Sequence, residues 1–444
     1  MNEIAVIIEG VLAGSLRRSA GKLTFAYDDD YAKRRSATPL STSVPIRTTR
    51  HEDAVIAPWI AGLLPDNDDV IRRWARELGV RPNAFDLLAT RIGEDCAGAV
   101  QFTRLDDVDD LINRPGSVEW LNEAEIASLL RELRVDHTSW RGDNGAGHFS
   151  LAGAQAKTAL LLDGGRWGIP TGPIPTTHIV KPAITGFDDH DLNEHLCLLA
   201  ARKAGLLAAR SSIQTFGDQR AIVIERYDRI RSGGIDTLLR IHQEDFCQAL
   251  SVDPSLKYEA DGGPGVSQML QHLHAAVPPS EAASASVRIL DAVIWNWLIG
   301  GTDAHAKNYS LLLSADQLRL APFYDIASML PYQHSHIKKL RLAMRIGGSY
   351  QLSLDHNPWP RASKMWGVDY DELRARIVAL AEIVGDAFRD ASTESTAPDL
   401  DTRMPLLLTD CVAERASSVT RLMHLSASQA LPMEPPEPDL GLTL

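Results

Sequence analysis

Residues Asn296 to Asn308 read Asn-Trp-Leu-Ile-Gly-Gly-Thr-Asp-Ala-His-Ala-Lys-Asn, which sets Asp303 and Asn308 five positions apart behind an apolar, helix-like run. A phosphoryl-transfer site uses this D-x-x-x-x-N spacing to seat a base for the attacking hydroxyl and an oxygen ligand for Mg²⁺. Asp325, in Phe323-Tyr324-Asp325-Ile326, offers a second oxygen ligand. A small set of hard oxygen ligands, completed by water and phosphate, suits Mg²⁺. His305 and Lys307 lie between, where they can meet phosphate oxygens. The same stretch also reads as a plain helix end. Gly300-Gly301 would then stop the helix and Thr302 or Asp303 would cap the next turn.

Phosphoryl transfer asks the protein for positioning and charge rather than covalent chemistry. The cation is Lys181, which follows Ile179 and Val180 in an apolar strand. Such a lysine should be partly buried and need a partner. Glu194 on the next helix is the first candidate, with Glu225 or Asp325 as alternatives, and an edge-strand lysine facing solvent is the plain reading. Ser150–Lys157 lacks the Walker pattern but is rich in small residues. Small side chains let a backbone approach phosphates, and they equally suit an ordinary hairpin. Glu225-Arg226-Tyr227 ends a buried strand, where backbone groups can meet an adenine edge or Arg226 can simply be solvated. Asp228 can support these residues or face a phosphate. Gln243-Glu244-Asp245 reads as a helix start, His242 as a surface residue, and Trp295 and Trp297 as core.

The elements that must hold these residues follow from hydrophobic periodicity. Residues 4–48 read as short strands; Val70–Leu78 and Glu123–Leu133 read as helices, the second with Asn122 as N-cap and Glu125 closing a capping box. We take residues 1–140 as an N-terminal α+β domain, ending at the Asp143–Gly147 loop. Residues 149–235 read as a β-rich nucleotide lobe, with Ser150–Leu162 as strand, turn and strand. Residues 236–425 read as a helical catalytic lobe, with helices at Glu244–Leu250, Val266–Ala276, Ser286–Gly300, 370–390 and 403–425. The Pro-rich acidic tail 426–444 cannot bury enough apolar surface to order itself. A β lobe followed by an α lobe is the order of a protein-kinase fold, with the nucleotide between them.

Composition narrows the setting. The chain of 444 residues allows two or three domains. No apolar run approaches the ~20 residues that span a bilayer. The start Met1-Asn2-Glu3-Ile4 lacks the basic and apolar regions of a signal peptide. Four scattered cysteines without a CxxC pair argue against a zinc site or a disulfide framework and lead us to expect a reducing cytoplasm. A net charge of −13 argues against non-specific nucleic-acid binding by the chain as a whole. The basic stretch Lys338-Lys339-Leu340-Arg341 reads as a solvated face.

Taken together the motifs resemble the HipA family. The resemblance rests on Phe149–Thr158, Ile224–Arg229, Gln243–Asp245, Asn296–Asn308 with Tyr324-Asp325, and Leu63-Leu64-Pro65-Asp66-Asn67. It covers about residues 4–425. It implies a Ser/Thr protein kinase toxin of a bacterial type II toxin–antitoxin module, with a kinase-like two-lobed α+β fold that uses ATP and Mg²⁺. The implied substrate is an aminoacyl-tRNA synthetase, glutamyl-tRNA synthetase first, so that translation slows and cells become antibiotic-tolerant. The implied partner is a HipB-like helix-turn-helix antitoxin dimer that binds operator DNA with the kinase and supplies most phosphate contacts. By the same resemblance Asp303 is the catalytic base, Asn308 and Asp325 are the Mg²⁺ ligands, and Lys181 is the nucleotide lysine. Ala152, Gly153, Ala154, Gln155, Ala156 and Lys157 form the ATP loop, and Glu225, Arg226 and Tyr227 form the hinge. His305, Ala306, Lys307 and Tyr324 add nucleotide contacts. Ser150 is the implied autophosphorylation site, whose phosphate would expel the loop and switch the kinase off. Two other readings stand beside this one: a catalytically silent co-repressor, against which the intact set of Lys181, Asp303, Asn308 and Asp325 argues, and a small-molecule kinase.

Overall fold

The computed structural model describes residues 2–140, 148–184, 186–235, 238–332, 339–395 and 402–425. The Asp143–Gly147 loop, Lys338 and the tail from Ser426 lie outside the described residues. The N-terminal sheet is built from β1 (Glu3–Ile8), β2 (Val11–Ser19), β3 (Lys22–Tyr27), β4 (Arg50–His51) and β5 (Val100–Arg104), in the order β4-β3-β2-β1-β5. Glu9 and Gly10 take positive φ of 53° and 75° between β1 and β2, the backbone sense that a tight hairpin requires. The helices Asp53–Ala61 and Asp68–Leu78 follow. The second is capped by the Asn67 side chain on Asp69 N and closed by Gly79 in the left-handed region.

A second, six-stranded sheet carries the nucleotide-facing surface. It uses β6 (Ser117–Leu121), β7 (Thr158–Asp163), β8 (Arg166–Thr171), β9 (His178–Pro182), β10 (Ser211–Phe216) and β11 (Gln219–Glu225), in the order β10-β11-β9-β7-β8-β6. Strand β6, expected within the N-terminal domain, is thus the edge of the second sheet, paired with β8. Helix Glu123–Val135, which has the expected Asn122–Glu125 capping box, contacts β9, β10 and β11. One apolar cluster runs from Ile4, Phe25 and Trp59 through Trp140 and Phe149 to Val180 and Val223. The boundary at 140 therefore cuts through a shared core, because sequence periodicity reports an element's apolar face but not which sheet it joins.

Two further expectations change. Within Ser150–Leu162 only Thr158 onward is strand. Residues before it form an irregular loop, with Gly153 at φ 103°, that touches the N-terminal domain through isolated parallel bridges, Cys96 to Ser150 and Pro65 to Gly153. The expected helix Glu244–Leu250 starts later. His242–Asp245 is a strand paired with Ser310–Leu313, and only Phe246–Ala249 is helical, with Asp245 as N-cap in a capping box with Gln248. His242 is fully buried, with Nε2 2.9 Å from the Leu40 carbonyl.

The helical lobe packs His190–Lys203, Val266–Ala276, Pro279–Ile299, Tyr370–Ser395 and Met404–Leu425 around Trp295, Trp297, Trp359 and Phe388. Among the described residues one helix, Pro279–Ile299, is long and apolar enough to cross a membrane. Most of it is buried inside the protein, as a central core helix would be.

Candidate active site

A cavity of about 490 Å³ opens between the second sheet and the helical lobe. Its wall includes Ala152, Gly153, Ala154, Gln155, Lys157, Lys181, Glu225, Arg226, Tyr227, Asp303, His305, Lys307, Asn308, Tyr324 and Asp325. Two expected nucleotide contacts do not line it. Ala156 and Ala306 are instead buried in the apolar cores on either side. Ser150 is also off the wall and fully buried, with Oγ donating to the Leu63 carbonyl at 2.8 Å and its backbone N–H to Asp95.

Lys181 is the electrostatic centre. Strand β9 lies between β11 and β7, so the edge-strand reading does not hold. The ammonium donates to Glu194 Oε1 at 2.8 Å and to Asp325 Oδ1 at 2.7 Å. Burial alone would lower the Lys181 pKa, but Asp325 and Glu194 outweigh it and raise it above the ordinary lysine range. Desolvation likewise opposes ionisation of Asp325, whose side chain is still partly exposed, and Lys181 overcomes it, holding the carboxyl well below its usual range. Asp325 has a φ of 56°, a left-handed backbone that costs a non-glycine residue about 1–3 kcal/mol and recurs at functional sites.

The segment after helix Pro279–Ile299 is shaped by its own hydrogen bonds. Gly300 ends the helix at φ 69°, and a side chain on Gly301 would meet Asn296 Oδ1 at 2.4 Å. The chain then curls around the Asp303 carbonyl, which accepts from His305 N and from Asn308 Nδ2, each at 2.8 Å. Tyr324 anchors the far end by donating to the Lys307 carbonyl at 2.5 Å. This curl leaves the Asp303 carboxylate exposed, with one oxygen 2.7 Å from the Tyr258 hydroxyl. His305 is buried and its Nδ1 has no hydrogen-bond partner among the described residues, which suits a polar ligand.

The donor set fits Mg²⁺. Among the described residues no cluster of three His, Cys, Asp or Glu forms a dedicated metal cage. A carboxylate at Asp325 and an amide oxygen at Asn308 match an ion that keeps waters and shares phosphate oxygens. Lys157 adds a second buried ammonium, donating to the Ala152 carbonyl at 2.8 Å and lying 4.4 Å from the centre of the Trp140 ring. Burial and then the neighbouring Lys181 push its pKa down to about 7.

Several residues of the site were missed or misread in the sequence. Arg226, read as a hinge contact or a solvated side chain, lies on the wall but buries its guanidinium among Asp95, Asp228, Thr176 and the Cys96 carbonyl. Arg229 joins the same cage through Asp95 at 2.8 Å. Asp66, read only as part of a motif, pairs with Lys307 at 2.7 Å and Lys257 at 2.9 Å inside the cavity. Its motif Leu63–Asn67 was the available signal. For Lys257 and Tyr258 there was none.

The chain is similar to known proteins over most of its length. Residues 4–103 match the HipA N-terminal domain and residues 149–389 the HipA-like C-terminal domain. The kinase-like protein Y4mE of Sinorhizobium fredii is 34% identical over 90% of this chain and 94% of its own. The serine/threonine-protein kinase toxin HipA of Shewanella oneidensis is 29% identical over 73% of this chain and 74% of its own. A solved Shewanella oneidensis complex of HipA, HipB and operator DNA contains a chain that superposes with a TM-score of 0.78 at 24% identity, covering 95% of this chain and 97% of that one.

Proposed function

This chain belongs to the HipA family of serine/threonine kinases, and from that premise we propose that it is the kinase toxin of a toxin–antitoxin module. The observation that carries the reading is the Lys181 ammonium held between Glu194 and Asp325, in the same cavity as Asp303 and Asn308. Lys181 binds and orients the nucleotide phosphates, and Lys157 and the backbone of Ala152–Gln155 approach them from the sheet side. Asp325 and Asn308 hold Mg²⁺, which when bound neutralises phosphate oxygens. Asp303 takes the proton of the acceptor hydroxyl as its oxygen bonds to the γ-phosphorus and ADP leaves. Tyr227 and Glu225 border the adenine end.

The acceptor we propose is a serine of an aminoacyl-tRNA synthetase, glutamyl-tRNA synthetase first, with loss of tRNA charging as the toxic effect. We also propose a HipB-like antitoxin dimer as partner, through which the acidic chain reaches operator DNA. Support comes from the relative that is a kinase toxin and from the solved complex of HipA with HipB and DNA. Expression of the chain should arrest growth, and the Asp303→Asn variant should not. Phosphoproteomics should then find a synthetase serine modified only with the parent. Growth arrest by both forms would contradict the catalytic reading.

Ser150 is our candidate off-switch. Its buried Oγ sits against the Leu63 carbonyl, where a dianionic phosphate would meet another acceptor and lose its water. Phosphorylation therefore requires residues 150–157 to leave this seat, and the loop that approaches ATP leaves with them. Ser150→Asp should lower ATP affinity at least tenfold, roughly the cost of one such repulsion. Calorimetry showing unchanged affinity would overturn the switch.

A further inference from the structure

Three consecutive residues, Lys257, Tyr258 and Glu259, tie one short segment to three different parts of the molecule. Lys257 pairs with Asp66 of the N-terminal domain at 2.9 Å. Tyr258 donates its hydroxyl to Asp303 Oδ1 at 2.7 Å, and its ring meets His305 edge-on at 5.0 Å. Glu259 accepts from the backbone N–H of Arg345 at 2.6 Å and from its Nε at 3.2 Å. The turn that follows is closed tightly on itself, since a side chain on Gly263 would meet the Leu256 carbonyl at 1.9 Å. The segment is thus braced on both flanks; Lys257 lines the cavity, and Tyr258 beside it reaches Asp303 with its hydroxyl.

What Tyr258 presents there is a hydroxyl, phenolic where the substrate's is alcoholic, on the carboxylate oxygen that has to accept a proton from the substrate. A general base must lie within hydrogen-bond reach of the proton it takes, about 2.6–3.2 Å between heavy atoms. Tyr258 already occupies such a position. We propose that Tyr258 is a tethered occupant of the acceptor-hydroxyl seat, so that a substrate serine reaches Asp303 only by displacing it. This rests on the reading of Asp303 as the base. The acceptor subsite then lies beneath residues 253–265, bordered by His305 and the Lys257–Asp66 pair, and substrate affinity is reduced by the fraction of time the seat is filled.

The test uses the full-length protein with Mg²⁺, saturating ATP and dephosphorylated casein as the acceptor probe. Tyr258→Phe keeps the ring against His305 and removes only the hydroxyl. We expect the casein KM to fall roughly tenfold, the weight of one hydrogen bond to a charged group, with kcat and the ATP KM unchanged. Glu259→Gln, which loosens the segment from Arg345 without touching the site, should move the casein KM in the same direction. A fall in kcat at constant KM would make Tyr258 a positioning residue for Asp303 and overturn the proposal; unchanged constants in both variants would overturn it as well. Calorimetric ATP binding on the same samples separates the two readings. A parent that binds no ATP and transfers nothing contradicts the kinase reading and this proposal with it. A parent that transfers phosphate with a KM indifferent to Tyr258→Phe contradicts this proposal alone.

Discussion

A buried ammonium needs opposite charge close by, and Lys181 has two carboxylates within hydrogen-bond distance. Its apolar strand made the burial and the need for a carboxylate partner legible in the sequence, with Glu194 as first candidate beside Glu225 and Asp325. Lys181→Met removes the partner of a carboxylate with only 1% side-chain exposure, which should cost about 3–5 kcal/mol of stability and lower the Tm. Phosphate transfer should fall at least ~100-fold, and a folded variant with parental rates would count against the assignment. Lys157 gives a test by pH. With its pKa depressed to about 7, it is largely neutral above neutrality before ATP binds, and a triphosphate beside it favours the charged form. ATP binding should therefore take up a proton as pH rises above about 7, and affinity should weaken in the same direction. Calorimetry in two buffers of different ionisation enthalpy reads that proton directly; zero uptake at pH 8 would refute the assignment. Asp66 and Tyr258 were not legible in this way, because each meets its partner from a distant part of the chain.

The elements that carry the site differ in how plainly they announce themselves. The helix ending at Ile299 and its Gly300-Gly301 stop are local matters of apolar periodicity and left-handed backbone, and both were readable. Residues 150–157 were not, since their conformation depends on isolated bridges to Pro65 and Cys96 rather than on a hairpin of their own. The Glu225–Arg229 segment hides a similar dependence. Its place at the end of a buried strand suggested an adenine contact, yet its two arginines are buried against Asp95 of another domain. Asp95→Ala leaves both guanidinium groups without that carboxylate, so we expect destabilisation of about 3–5 kcal/mol, measurable by urea unfolding. A change below about 1 kcal/mol would show that the cage is not structural.

At the scale of the whole molecule, the N-terminal domain is built into the wall of the cavity and is not an appendage. It contributes Asp66 to the cavity, holds Ser150 through Leu63 and Asp95, and shares one apolar core with the second sheet. A fragment beginning at Phe149 would lack the edge strand Ser117–Leu121 and helix Glu123–Val135, exposing the sheet they cover. It should aggregate when made alone and become soluble when residues 1–148 are co-expressed. A soluble, ATP-binding fragment would show that the two halves are independent. The broad order of a β lobe and an α lobe was legible because it follows from local pattern, whereas the shared core was not, because it is a property of packing. The role of Asp303 as base in phosphate transfer from ATP is read by incubating the protein with Mg²⁺ and γ-labelled ATP, beside Asp303→Asn, and mapping labelled sites by mass spectrometry. Label should appear on Ser150 in the parent and not in the variant; equal labelling of both, or none in a parent whose Ser150 carries no phosphate beforehand, would rule that role out.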